Sequence, residues 1–147
     1  MKRLSLVIPA LLLTGRADAQ KLERINPDGL TKPPTYTQVV KAGKLLFIAG
    51  QVGVTADGKV VGPGMKEQVN QVFTNLETAL KSQGGNLSHV AKTTTYVTSM
   101  SEFRAPDVLA LRNKRFNNQL PSSTLVEVVR LADPAYKVEI EAIAVLP

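Results

Sequence analysis

The chain has 147 residues, 44% of them hydrophobic and 5% aromatic, with a formal net charge of +6. That suits one domain able to bury a core without metal or disulfide support. It has no cysteine, which excludes disulfides, thiolate metal sites and a cysteine nucleophile, and its one histidine, His89, cannot form a histidine cluster for zinc or iron.

The N-terminus reads MKRLSLVIPALLLTGRADAQ. Lys2 and Arg3 precede a largely apolar run from Leu4 to Leu13, and Ala17 and Ala19 supply small residues ahead of Gln20. This is the pattern of a secretory signal peptide over residues 1–19. The apolar run is shorter than the roughly 20 residues that span a bilayer, so no membrane anchor is expected after cleavage. The pattern places the mature chain in the periplasm or outside the cell. The alternative is a start codon set ahead of a cytoplasmic domain. Cleavage after Ala19 removes Lys2, Arg3, Arg16 and Asp18, so the charge of +6 falls to +4. An excess of that size attracts anions only weakly.

Residues 20–35, with NPDG and the Pro33-Pro34 pair, read as an N-terminal loop segment, and 36–147 as the folded domain. TYTQVVKAGKLLFIAGQVGV reads as two strands about a turn at Ala42-Gly43. Asp57-Gly58 marks another turn. The clearest helix follows, with Met65, Val69, Val72, Phe73, Leu76 and Leu80 on one stripe and Gly84-Gly85 as its stop. HVAKTTTYVTSM is rich in β-branched residues and reads as a strand, and APDVLALRNKRFNN as a second helix. Two strands close the chain, joined by ADPAY. Two helices for five or six strands predict an α+β fold, one sheet with both helices packed on one face. The apolar content of the strands predicts that the other face meets a second copy.

Alternation sorts the last two strands. Ser123, Leu125, Glu127 and Val129 share one face of the first; Glu139, Glu141, Ile143 and Val145 oppose the aliphatic Val138, Ile140, Ala142 and Ala144 in the second. A glutamate on a half-buried strand can hold a water or move a proton. It can equally be a surface charge paired with Lys137 or Arg130. Tyr36 reads either as a core aromatic or as the lid of a pocket. AGQ at 49–51 places Gly50 at a strand end, where glycine allows close approach of backbone or ligand, or simply a bend. His89 falls between a helix and a strand, where it reads as a loop residue rather than a triad member. No nucleophile elbow, P-loop or dinucleotide fingerprint is present.

Taken together, YTQVV, LLFIAGQVGV, QVFTNLETAL, VAKTTTYVTSM and VEVVRL...KVEIEAIAV, in this order and spacing, resemble the reactive intermediate deaminase family, known as RidA or YjgF. The resemblance runs over about residues 25–146. It implies a chorismate-mutase-like fold, a homotrimer with ligand clefts between subunits, and hydrolysis of short-lived enamines and imines to 2-oxo acids and ammonia without metal or organic cofactor. By the same resemblance Glu139 matches the glutamate that holds the attacking water. Tyr36 matches the tyrosine that closes over the ligand, and Gly50 a backbone contact. Ser123 stands where active deaminases carry the arginine that pairs with the substrate carboxylate, and Leu125 where the family often has cysteine. An arginine fork grips a carboxylate by two charge-assisted hydrogen bonds, and serine replaces neither charge nor geometry. Losing such a contact costs about 2–5 kcal/mol, tens to thousands-fold in affinity.

Three functions follow as expectations. The first is a hydrolase of imine-type C–N bonds with altered substrate preference. The second is a non-catalytic exported trimer that binds a small molecule. The third is an RNA-acting relative. Seven aromatics and no basic-aromatic patch give base stacking little to rest on, so nucleic acid is the least supported partner.

Overall fold

The computed structural model describes residues 21–147; the leader read at residues 1–19 lies outside them. Within the described residues the strands are β1 (Leu22–Ile25), β2 (Val39–Ala42), β3 (Leu45–Val52), β4 (Val90–Val97), β5 (Ser122–Glu127) and β6 (Val138–Val145). The helices are α1 (Met65–Lys81), the short α2 (Met100–Phe103) and α3 (Pro106–Arg115). One mixed sheet runs in the order β1-β2-β3-β6-β4-β5. Only β5 lies parallel to its neighbour, β4; the other pairs are antiparallel. A parallel neighbour is out of reach of a tight turn, and α2 and α3 supply the crossover.

The predicted stripe on α1 is buried along its whole length, from Met65 to Leu80. It packs with Val39, Leu46, Ile48, Ile140, Ala142 and Ala144 into one core. Phe73 of α1 meets Phe116 after α3 edge to face, with ring centres 5.2 Å apart. The aliphatic face of β6 is the core face, as alternation required: Val138, Ile140, Ala142 and Ala144 are all buried. The α+β architecture is therefore the expected one, with one helix face and one open sheet face. The open face carries exposed Leu45, Phe47, Val126 and Val145.

Three local expectations need correction. The segment read as a loop at 20–35 contains β1, paired antiparallel with β2 from Leu22↔Ala42 to Ile25↔Val39. The sheet therefore begins before Tyr36. LERI is too short and too mixed to show a period of two, and only Ile25 packs on the core. The strand expected from Thr35 starts at Val39; the β2–β3 turn is the expected tight one, with Gly43 at a φ of +60°. β5 stops at Glu127, so Val129 belongs to no strand and is fully exposed. β5 and β6, joined by ADPAY, are not neighbours in the sheet: β4 lies between them. His89 is a loop residue as expected, with a structural role. Its Nδ1 accepts a 3.0 Å hydrogen bond from the Asn86 N–H, and the Asn86 side chain caps the same 3₁₀ turn.

Candidate functional site

The three glutamates of the closing strands have three fates. The Glu127 carboxylate accepts a 2.6 Å hydrogen bond from the Met100 N–H and so caps α2. Glu141 is exposed on the open sheet face. Glu139, on the same face, is half-buried in a cleft.

That cleft is made by an irregularity in β3. Ile48 faces Ala142 and Gln51 faces Ile140, so three steps along β3 answer two along β6. The extra residue is a β-bulge at Ala49-Gly50. Gly50 therefore sits inside β3 rather than at its end, with the Glu139 side chain lying directly against it. A Cβ built at Gly50 would overlap the Glu139 carboxylate and stand 2.6 Å from its Cδ. The glycine is required by space here, not by backbone angle.

The cleft has a volume of about 580 Å³ and is lined by Glu139, Gly50, Tyr36, Tyr136, Val52 and Ala132, the rest being threonine, alanine, valine and glycine. Buried amides fix its walls. Gln51 Nε2 donates to Gln38 Oε1 at 2.7 Å, and Gln38 Nε2 donates to the Thr31 carbonyl at 2.9 Å, which ties down the loop bearing Tyr36. On the other side Gln68 of α1 donates to the Ala135 carbonyl at 2.8 Å and accepts from the Lys137 N–H at 2.9 Å, bracketing Tyr136. Asn75 holds the end of β3 through the Val52 and Val54 carbonyls, at 3.1 and 3.0 Å.

Burial holds the Glu139 carboxyl above the usual carboxylate range, and the charge of Glu141 adds to the effect. The Tyr36 phenol is also pushed up, first by burial, then by the charge of Glu139, then by Tyr136. A carboxylate poised in this way can accept a proton from water at its cleft. Among the described residues no lysine or arginine lines the cleft. Lys137 is bound to Glu102 at 2.9 Å and Arg115 to Glu77 at 3.1 Å. Arg130 lies in a neighbouring cleft across the wall formed by Tyr136. Among the described residues no three His, Asp or Glu side chains come together as a metal site.

Of the residues singled out in the sequence, Glu139, Gly50 and Tyr36 meet in this cleft, and Ser123 and Leu125 do not. Ser123 pairs with Thr93 and Leu125 with Thr95, both buried on the helix side, whereas Glu139 pairs with Tyr96 on the open side. Thr93 Oγ1 donates to Ser123 Oγ at 3.4 Å. Sequence reasoning missed Tyr136 and the amides Gln38, Gln51, Gln68 and Asn75. The amides did leave a signal: Gln68 and Asn75 fall on the buried stripe of α1, three residues after Met65 and Val72.

Comparison with known proteins agrees with this fold. The family model described as Endoribonuclease L-PSP matches residues 30–146. A RutC family protein of Pyrococcus horikoshii is 38% identical over 111 residues, covering 74% of this chain and 85% of the relative. The 2-iminobutanoate/2-iminopropanoate deaminase of Mus musculus is 34% identical over 120 residues, covering 78% of this chain and 87% of the relative. Among solved structures, RidA from an Antarctic Psychrobacter superimposes with a TM-score of 0.71 at 31% identity, over 84% of this chain and 99% of that one. Yeast Mmf1 gives a TM-score of 0.79 at 25% identity, over 86% and 100%.

Proposed function

The chain belongs to the Endoribonuclease L-PSP family, the family of RidA and YjgF, and on that premise we propose that it is a hydrolytic deaminase of reactive enamine- or imine-type metabolites whose preference has moved away from 2-imino acids. The observation that carries the reading is the placement of Glu139: a half-buried carboxyl against a glycine bulge, in a cleft flanked by Tyr36. Glu139 accepts a proton from water as it adds to the C=N carbon, and returns it to the departing nitrogen. Gly50 offers backbone to the substrate, and Tyr36 closes over it.

The site is completed between copies of the chain in a homotrimer. The support is topological. Ser123 and Leu125 lie on the opposite side of the sheet from Glu139, on a strand two spacings away, about 10 Å. The same β5 edge, presented by a neighbouring copy, can face the cleft. The exposed Phe47, Leu45 and Val145 on the open face favour such packing.

The family description also names an endoribonuclease. A phosphodiester backbone needs a cationic groove. This cleft offers a carboxylate and no cation, so the deaminase reading is preferred.

The test uses imines generated in situ from several amino acids, with ammonia followed. Glu139→Gln is expected to slow turnover by about 10²–10⁴-fold without loss of fold. Ser123→Arg is expected to raise activity on 2-imino acids. No turnover above background for any imine, and no change on Glu139→Gln, would leave the non-catalytic binding protein as the reading; turnover above background that is the same with and without Glu139 would remove Glu139 from the mechanism.

A further inference from the structure

The two surfaces that the deaminase reading brings together carry no positive charge. The cleft lining contains one ionisable anion, Glu139, two phenols, Tyr36 and Tyr136, and otherwise small neutral side chains. The β5 edge reads Ser-Ser-Thr-Leu-Val-Glu, and its one charge, Glu127, is engaged at the start of α2. The cations near Glu139 and β5 are committed or lie outside the cleft: Lys137 is bound to Glu102, Arg130 lines the next cleft, and Lys92, in register with Ser122, lines the open face beside Glu141 and Phe47. A substrate carboxylate entering here would be desolvated beside Glu139 with no cation in the cleft lining to pair with, which is unfavourable.

A protonated imine has the opposite balance. Its nitrogen bears positive charge, which a carboxylate attracts and the face of a phenol ring also favours. Tyr36 and Tyr136 both line the cleft, and a ring can stack on a phenol.

We infer that the substrate is an imine without a carboxylate, bearing an aromatic or bulky apolar substituent held between Tyr36 and Tyr136. The inference rests on the deaminase reading and names its substrate class. Water adds to the carbon of the protonated imine and gives a carbinolamine. The C–N bond then breaks, the electron pair leaves with nitrogen as ammonia, and an aldehyde or ketone remains. No oxidant or reductant is consumed. The reaction that supplies such a substrate is the two-electron oxidation of a primary amine at its C–N bond, rather than of an amino acid.

A matched pair of probes tests this. The imine of 2-phenylethylamine and that of phenylalanine, each made in situ by an oxidase, differ only in the carboxylate. Ammonia release above the uncatalysed rate is the readout for both, with the full chain. The amine-derived imine is expected to be hydrolysed faster by a factor on the order of 10 or more in kcat/KM. The 2-phenylethylammonium ion is expected to inhibit competitively, and phenylacetate not. Equal or faster hydrolysis of the phenylalanine-derived imine overturns the inference and leaves the deaminase reading standing. Hydrolysis of neither, with no binding of the ammonium ion, overturns both.

Discussion

At the scale of the residue, the pairing of Gly50 with Glu139 is the most constrained contact in the site. Gly50→Ala forces a methyl into the space of the Glu139 carboxylate. We expect activity to fall toward that of Glu139→Gln, while overpacking costs about 1–3 kcal/mol of stability. A urea titration and a kcat measurement separate the two effects, and unchanged kcat would show that the carboxylate can work from another position. A second expectation concerns pH. In the proposed mechanism Glu139 works as the carboxylate, so activity is expected to be lost as pH falls through its folded-state pKa, at higher pH than for an ordinary glutamate. The stability contribution has the opposite sense. The folded chain holds this proton more tightly than the unfolded one. The contribution is therefore present below the ordinary glutamate pKa and lost as pH rises through the raised one. Glu141→Gln removes the smaller cause and leaves burial. The acid limb of kcat/KM should move to lower pH yet stay above the ordinary position; an unmoved limb would remove Glu141 from the account. Strand alternation alone made Glu139 a candidate, and the family pattern gave it a role. Alternation alone could not distinguish it from Glu127, because the hydrogen bond to Met100 joins residues 27 apart in sequence.

At the scale of the element, α1 does more than cover the sheet. Its fully buried Gln68 holds the backbone on both sides of Tyr136. Gln68→Leu preserves approximate volume but leaves the Ala135 carbonyl and the Lys137 N–H without partners, at a cost of about 1–3 kcal/mol. Urea denaturation should show that loss. KM should rise more than kcat falls, since the wall loosens while Glu139 stays in place. A variant as stable as the parent, with unchanged KM, would mean that the 133–137 loop is held by other contacts. The helical stripe was legible because its period extends over several turns. The loop was not, because a polar residue on an apolar stripe reveals that it is buried but not which backbone it serves. β1 escaped notice for a similar reason: four residues with one core contact make no periodic signal.

At the scale of the whole molecule, the open sheet face is the feature still without a cover. Leu45, Phe47, Val126 and Val145 stand there between 39% and 46% exposed. The trimer proposed above buries them. Phe47→Glu should then yield monomers in sedimentation velocity and abolish turnover, with the far-ultraviolet dichroism of the sheet retained. A trimer that survives this substitution would place the contact elsewhere. The two-layer architecture was legible from element order and the amphipathic helix. The relation of Ser123 to Glu139 was not, because the position of β4 between β5 and β6 follows from a crossover that local patterns do not encode.

The same topology bears on how the polypeptide is made. β6 is the last strand in the chain and lies between β3 and β4, joining the two parts of the sheet. Until translation has delivered it, β1 to β3 and β4 to β5 are fragments with no common ladder, each exposing the edge that β6 will later fill. A premature stop codon ahead of Val138 removes this central strand and, with it, both the continuity of the sheet and the acid to which the proposed hydrolysis is assigned.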